Sequence, residues 1–322
     1  MRVVIIGGTG HVGTYLVPRL VMAGHEVISL SRGTRDPYTP HRAWDSVQRI
    51  QVDREAEDAD GTFAGRVRDL EPDAVIDMVC FKLESAKQMV EALKGRIQHY
   101  LFCGSVWVHG HGVAVPTVED QVRNPLEEYG IQKDAIDKYL SVQAKQFGFP
   151  ATSLHPGHIV GPGWNPVNPQ GNFNPEVFNT IARGEELSIP NLGLETVHHV
   201  HADDVAQAFM KALSRWGVAN GEGFHVVSAK AITLRGYAEA MATWFGHSSN
   251  LKYEPLAEWA KSIEETWDVE QTTTHILHSP NCSIDKARSL LGYEPRYSSL
   301  EAVQESVLRL IEQKVVDSPF TA

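Results

Sequence analysis

The sequence predicts an α/β fold in which a parallel sheet is doubly wound by helices, and two observations carry that prediction. A glycine-rich turn, Gly7-Gly8-Thr9-Gly10-His11-Val12-Gly13, stands near the N-terminus between a short β-branched run and an amphipathic stretch. Beyond it, short apolar runs alternate with helical patterns through the first half of the 322 residues. That alternation places helices on both faces of a parallel sheet.

Taken in order, residues 3–6, 26–30, 49–52, 74–78 and 100–103 read as strands, and 13–23, 61–70, 83–93 and 132–147 as helices. A sixth strand is expected at 152–154. Over 155–171 prolines and glycines crowd together, so a long irregular loop is expected, and such loops commonly carry function. Helices follow at 175–183, 203–213 and 234–245, with a Lys/Glu-rich helical region at 300–313 and strands at 196–201 and 224–227. The organisation predicted is a Rossmann-type dinucleotide-binding domain over 1–160, rejoined by 194–230. Segments 161–193 and 231–322 mainly form a smaller mixed α/β substrate-binding cap.

Charge narrows the partners. With 29 Lys and Arg against 40 Asp and Glu, the formal net charge is −11. Such a surface repels phosphate backbones and anionic headgroups, so neither a nucleic-acid nor a membrane partner is expected. Cys80, Cys103 and Cys282 are scattered and odd in number, forming neither a disulfide framework nor a metal spacing, which suits a reducing compartment. The apolar run at 3–6 is too short for a signal segment or a membrane span, and a cytoplasmic protein is expected.

The glycine turn has a chemical purpose. Gly7, Gly10 and Gly13 allow a tight turn, a close backbone approach to a pyrophosphate and a close helix–strand packing. Thr9, His11 and Val12 complete a loop whose helix N-terminus offers amide donors to phosphate. At the end of the second strand an acid would grip an adenosine ribose, whereas an arginine suits a 2′-phosphate. Ser31 holds the first position and Arg32 follows, which leans the reading towards NADP and leaves NAD open.

Tyr129 and Lys133 stand at i and i+4, on one face of a helix. A phenol of ordinary pKa about 10 is a poor acid or base near neutrality. An ammonium one turn away favours its ionised form. Ser105 follows the fifth strand and is placed to share a substrate oxygen with Tyr129, although serines after strands also serve as turn hydroxyls and caps.

Glycine loop, strand-end serine and YxxxK, in that order, resemble the extended short-chain dehydrogenase/reductase family of NAD-dependent epimerases and dehydratases. Further segments are similar to family patterns: the run from Phe102 to Gly110, the run from Leu154 to Pro162, Val200-His201-Ala202-Asp203-Asp204-Val205-Ala206, and Lys286 through Pro295. The resemblance implies catalysis by Ser105, Tyr129 and Lys133, and adenine contact by Asp53. It implies cofactor contacts from Met78, Val79 and Lys82, and a loop of His155, Pro156 and Gly157 beside the nicotinamide. It also implies a homodimer through helices 83–93 and 132–147, where Met89, Val90, Leu93, Ile136, Tyr139 and Leu140 are the apolar positions.

Departures from the pattern bear on substrate. His155 and Val160 stand where the family has Arg and Tyr, and His109 replaces a Tyr. Trp107 stands where a small residue is usual, either narrowing the pocket or packing in the core. Val197 occupies the position of the arginine that clamps a nucleotide-sugar diphosphate, while Arg183 remains a phosphate partner to consider. Asn172 matches the family's substrate-loop asparagine, and His158 is a candidate substrate contact. The 15 histidines show no metal-binding pattern, and no metal is expected.

The expected activity is NAD(P)-dependent epimerisation or oxidoreduction at a hydroxyl or carbonyl carbon of a carbohydrate, whether free sugar, sugar acid, polyol or nucleotide sugar. Two alternatives stay open, an NADP-dependent carbonyl reductase or dehydrogenase and a non-catalytic dinucleotide-binding member.

Overall fold

A computed structural model describes residues 1–317. Along the chain come β1 (Arg2–Ile6), α1 (His11–Met22), β2 (Glu26–Ser31), β3 (Gln48–Gln51), α2 (Arg54–Ala59), α3 (Phe63–Asp69), β4 (Ala74–Asp77), α4 (Leu83–Leu93), β5 (His99–Cys103), α5 (Glu128–Phe147) and β6 (Ala151–Pro156). Then follow β7 (His158–Val160), α6 (Glu176–Ala182), β8 (Leu187–Pro190), β9 (Thr196–Val197), β10 (His199–His201), α7 (Ala202–Ser214), α8 (Trp216–Ala219) and β11 (Gly223–Val226). The last elements are β12 (Ile232–Thr233), α9 (Leu234–Trp244), β13 (Leu251–Glu254), α10 (Leu256–Ser262), α11 (Thr266–His278) and α12 (Ser299–Glu312).

Seven strands form one parallel sheet in the order β11-β6-β5-β4-β1-β2-β3. Val3 and Ile5 of β1 turn to one face, against α1 and α7, while Val4 and Ile6 turn to the other, against α3, α4 and α5. Because both faces are covered, the strand is apolar without alternation, as parallel sheets require. A third core joins α6, α9 and α12 to the small β8–β13 pair and forms the cap. Met89, Val90, Leu93, Ile136 and Leu140 are buried in the chain's own core. Among the described residues no helix is long and apolar enough to cross a membrane.

Several expectations are corrected by the cap and by the ends of elements. The region 155–171 is not wholly irregular, because β7 lies within it and pairs with β10. The strand expected at 196–201 breaks at His198: β9 pairs antiparallel with β12 and β10 pairs parallel with β7. The helix expected from 132 begins at Glu128, which brings Tyr129 into its first turn. Elements β8, β13, α10 and α11 were not expected at all.

The strand order reverses between β1 and β4, so a crevice opens at their C-terminal ends, the place where open α/β sheets bind ligands. Gly13 holds that crevice in shape, since a Cβ there would lie 1.9 Å from the Gly8 carbonyl oxygen. Neither backbone segment can give way cheaply. Gly13→Ala is expected to cost about 3 kcal/mol or more in stability, at the severe end of overpacking, measured by urea unfolding.

Candidate active site

At the crevice, Gly7 adopts φ +87° and packs against the Met78 and Val79 side chains at the end of β4. The N-terminus of α1 has Gly10 as its cap, no side-chain cap bond and no acid in its first turn. Its leading amides are therefore left without side-chain acceptors, the condition under which a helix start takes phosphate. This donor set fits a dinucleotide pyrophosphate. The His11 side chain turns aside, stacked on Trp164 (5.3 Å between ring centres, 7° between planes) and edge-on to Tyr38. Burial first, and then His201, push its imidazole down to about 3.

Around the adenosine end, Arg32 is exposed and makes no ion pair or hydrogen bond among the described residues. Asp53 caps α2 by accepting from the Ala56 amide at 3.2 Å, and Lys82 lies exposed, 3.8 Å from Glu55.

Helix α5 brings Tyr129 and Lys133 to the rim. Gly130 permits this approach, because a Cβ there would sit 2.9 Å from the Trp107 carbonyl oxygen. The Lys133 amine is buried and donates to the carbonyl oxygens of Cys80 (2.9 Å) and Cys103 (2.7 Å). It also lies 4.6 Å from the centre of the Phe81 ring and 5.7 Å from that of Tyr129. Burial lowers its pKa, opposed by the neighbouring Cys103, Cys80 and Asp77.

Ser105 accepts from the Trp107 amide at 3.2 Å and stands beside the Tyr129 phenol, easing its ionisation, so it is a turn cap and a neighbour of the phenol at once. Tyr129 as a whole residue is 41% exposed. Desolvation at its hydroxyl end, with the Cys103 thiol adding to it and Ser105 opposing, pushes its pKa up to about 12. The phenol thus carries its proton at neutral pH. Such a group can donate a proton to a carbonyl oxygen, and can take one from a hydroxyl only when a nearby positive charge favours its ionised form.

Trp107 lies edge-on to Tyr129 (5.9 Å, 87°) and stacked on His278 (4.2 Å, 15°), with His275 at 5.5 Å and His158 at 6.0 Å. It is therefore both packed and part of the wall beside the phenol. His158 is pushed well below its ordinary pKa by burial and neighbouring imidazoles, and its buried Nε2 makes no hydrogen bond in the protein. His275 binds the Gly171 carbonyl through Nδ1 (2.6 Å). His278 Nε2 lies 3.2 Å from a Glu127 carboxylate oxygen. Helix α11, unforeseen in the sequence, thus delivers two imidazoles to this wall.

Four expected residues go elsewhere. Asn172 spends its amide inside the protein: Nδ2 donates to Thr272 Oγ1 (3.1 Å), and Oδ1 accepts from the Asn168 side chain and the Asn174 amide. It ties the loop to α11. Arg183 is held at the surface by Glu176, Glu185 and Asp317. His109 is bound Nε2 to Nε2 with His225 at 2.7 Å. His155 is fully buried in β6, its Nε2 3.5 Å from Asp137 on α5. The ring fits only because Gly104 beside it has no side chain; a Cβ there would come within 2.4 Å of Nδ1. His109 and His155 thus belong to a buried polar cluster with Arg123 and Asp137, not to the wall around Tyr129.

That cluster anchors α5 one turn beyond Lys133. Burial alone would raise the Asp137 carboxyl, but His155 and then Arg123 hold it far below the usual carboxylate range. A carboxyl depressed on folding contributes stability at neutral pH, and the contribution fades as pH falls through its unfolded pKa of about 4 and below. Asp137→Asn leaves Arg123 short of a counter-charge and should cost about 3–5 kcal/mol at pH 7. Urea unfolding across acidic pH should show that deficit shrinking below about pH 4.

Comparison with known proteins bears on the family and the fold. The family model described as NAD dependent epimerase/dehydratase family matches residues 3–226. The chain is 25% identical over 319 residues to the chloroplast stem-loop binding protein of 41 kDa b of Arabidopsis thaliana, covering 95% of this chain and 78% of that protein. It is 27% identical over 270 residues to the 2′-dehydrokanamycin reductase of Streptomyces kanamyceticus, covering 84% of this chain and 73% of that one. In fold it is similar to the UDP-glucose 4-epimerase of Thermotoga maritima solved with UDP-glucose. The TM-score is 0.73 at 20% identity, over 98% of this chain and 100% of that chain.

Proposed function

The chain belongs to the NAD dependent epimerase/dehydratase family, as an enzyme of the extended short-chain dehydrogenase/reductase type that uses a nicotinamide cofactor, and from that premise we propose that Tyr129, Ser105 and Lys133 carry proton transfer coupled to hydride transfer at a hydroxyl or carbonyl carbon of a carbohydrate. The observation that carries the proposal is the Tyr129 hydroxyl brought beside Ser105, which eases its ionisation, on a helix that Lys133 fastens to the loop after β4 and the end of β5.

When bound, the nicotinamide supplies the acceptor or donor of hydride. The chain's own groups handle position and proton. Ser105 and Tyr129 share the substrate oxygen, and the proton leaving or joining that oxygen passes through the Tyr129 hydroxyl. Lys133 orients α5 and places positive charge near the phenol ring. Gly7, Thr9, Gly10, His11, Val12 and Gly13 would hold the pyrophosphate by backbone at the start of α1, beside Met78 and Val79.

A carbonyl reductase is the second reading, and two observations favour it. Tyr129 is already protonated at neutral pH, as an acid for carbonyl reduction must be, and Arg32 is free at the end of β2 for a 2′-phosphate. The net charge of −11 and a complete Ser–Tyr–Lys set favour catalysis over nucleic-acid binding, despite the name of the Arabidopsis relative.

Tyr129→Phe should lower turnover by about 10²–10⁴-fold, the usual worth of a positioned acid–base group, while dinucleotide affinity changes little. Parallel assays of reduced-nicotinamide absorbance and dinucleotide binding check this, and loss of binding without loss of chemistry would contradict the role. Arg32→Ala should weaken NADP by about 10- to 100-fold, the equivalent of one charge-assisted hydrogen bond, and leave NAD unchanged. Titration with each dinucleotide decides it.

A further inference from the structure

Positive charge is missing from the stretches that surround the Tyr129 side chain. Residues 97–122, 146–182, 184–210 and 262–285 contain no Lys or Arg, and they supply Ser105, Trp107, His158, His199, His275 and His278. The nearby cations are already committed. Arg123 is spent on Asp134 and Asp137, Arg183 on three carboxylates, and Lys133 on two carbonyls.

Helix starts offer no substitute. An acid stands in the first turn of α6 (Glu176) and of α11 (Asp268, after the cap residue Glu265). The start of α7 is taken by Asp203, Asp204 and the His201 ring. Burial keeps the imidazoles of the wall neutral at physiological pH, with His275 down to about 4 and His199 to about 3. Glu127 adds a negative group beside His278. An anionic group brought here would lose its water without gaining a counter-charge. A hydroxyl, by contrast, can both give a hydrogen bond to a neutral imidazole and take one from it.

Building on the reading given under Proposed function, we infer that the substrate is a sugar or polyol carrying no phosphate, carboxylate or nucleotide. Trp107, edge-on to Tyr129 and stacked on His278, offers aromatic surface beside the phenol, and His158 next to it keeps a neutral Nε2 with no hydrogen bond in the protein.

Calorimetric titration of the NADP-loaded protein tests this, using glucose, myo-inositol and glucosamine against glucuronate, glucose 1-phosphate and UDP-glucose. The expected result is saturable binding of at least one uncharged or amine-bearing probe, with anionic counterparts at least about 100-fold weaker. An anionic probe that binds as tightly as its uncharged counterpart overturns the inference. So does the absence of saturable binding by every uncharged and amine-bearing probe. Turnover of the bound probe by wild type and Tyr129→Phe separates the two levels. Anion preference with Tyr129-dependent turnover removes this inference alone, whereas turnover indifferent to Tyr129, or failure to load dinucleotide, removes the underlying reading as well.

Discussion

Lys133 carries an ammonium into a place almost closed to water, where ionisation is costly unless the group is well bonded. Two of its donors go to Cys80, in the loop after β4, and to Cys103, at the end of β5, and the rings of Phe81 and Phe102 lie close by. One carbonyl belongs to the sheet and the other to the loop that leaves it, so the bonds fix the helix rather than the side chain alone. Tyr129 lies one turn before Lys133 and Asp137 one turn after it. The first meets Ser105 at the rim, and the second meets Arg123 and His155 below it. One helix face thus registers the site against the sheet, and the glycines at 104 and 130 remove the bulk that would hold it off.

The first half of the molecule was legible because its elements follow apolar patterns. β1 is four buried aliphatics before a glycine turn, and α1 buries Val12, Leu16, Val17 and Leu20 on one stripe. The nucleotide loop and the YxxxK pair were legible for a different reason, since their spacing is dictated by backbone approach and helix pitch. Helix α11 was not legible. Its buried face is Asp268, Thr272, His275 and His278, at helical spacing but without an apolar residue, and it runs through three consecutive threonines of modest helix propensity. A search for hydrophobic periodicity passes over such a face.

The same physics misplaced His109, His155 and Asn172. Each sits in a motif whose position suggests contact with cofactor or substrate, yet each is a polar side chain that the interior must satisfy. His155 finds Asp137, His109 finds His225, and Asn172 completes a net of Asn168, Asn174 and Thr272. Local sequence names the residue but not its partner 18, 116 or 100 positions away. Buried polar groups left unpaired cost more than paired ones return, so distant partners decide these orientations.

The state of Tyr129 follows from this economy of charge. Its hydroxyl is desolvated, its nearest cation is bound to carbonyls, and the imidazoles of the wall are neutral. Among the described residues Ser105 eases ionisation of the phenol, but not enough to offset its burial. A site with so little positive charge does not generate a strong base by its own groups, and the positive charge that would favour the phenolate has to arrive with an occupant of the crevice at the start of α1. On the proposed mechanism, dinucleotide binding would then precede proton abstraction in any oxidation, whereas proton donation to a carbonyl would need no such activation.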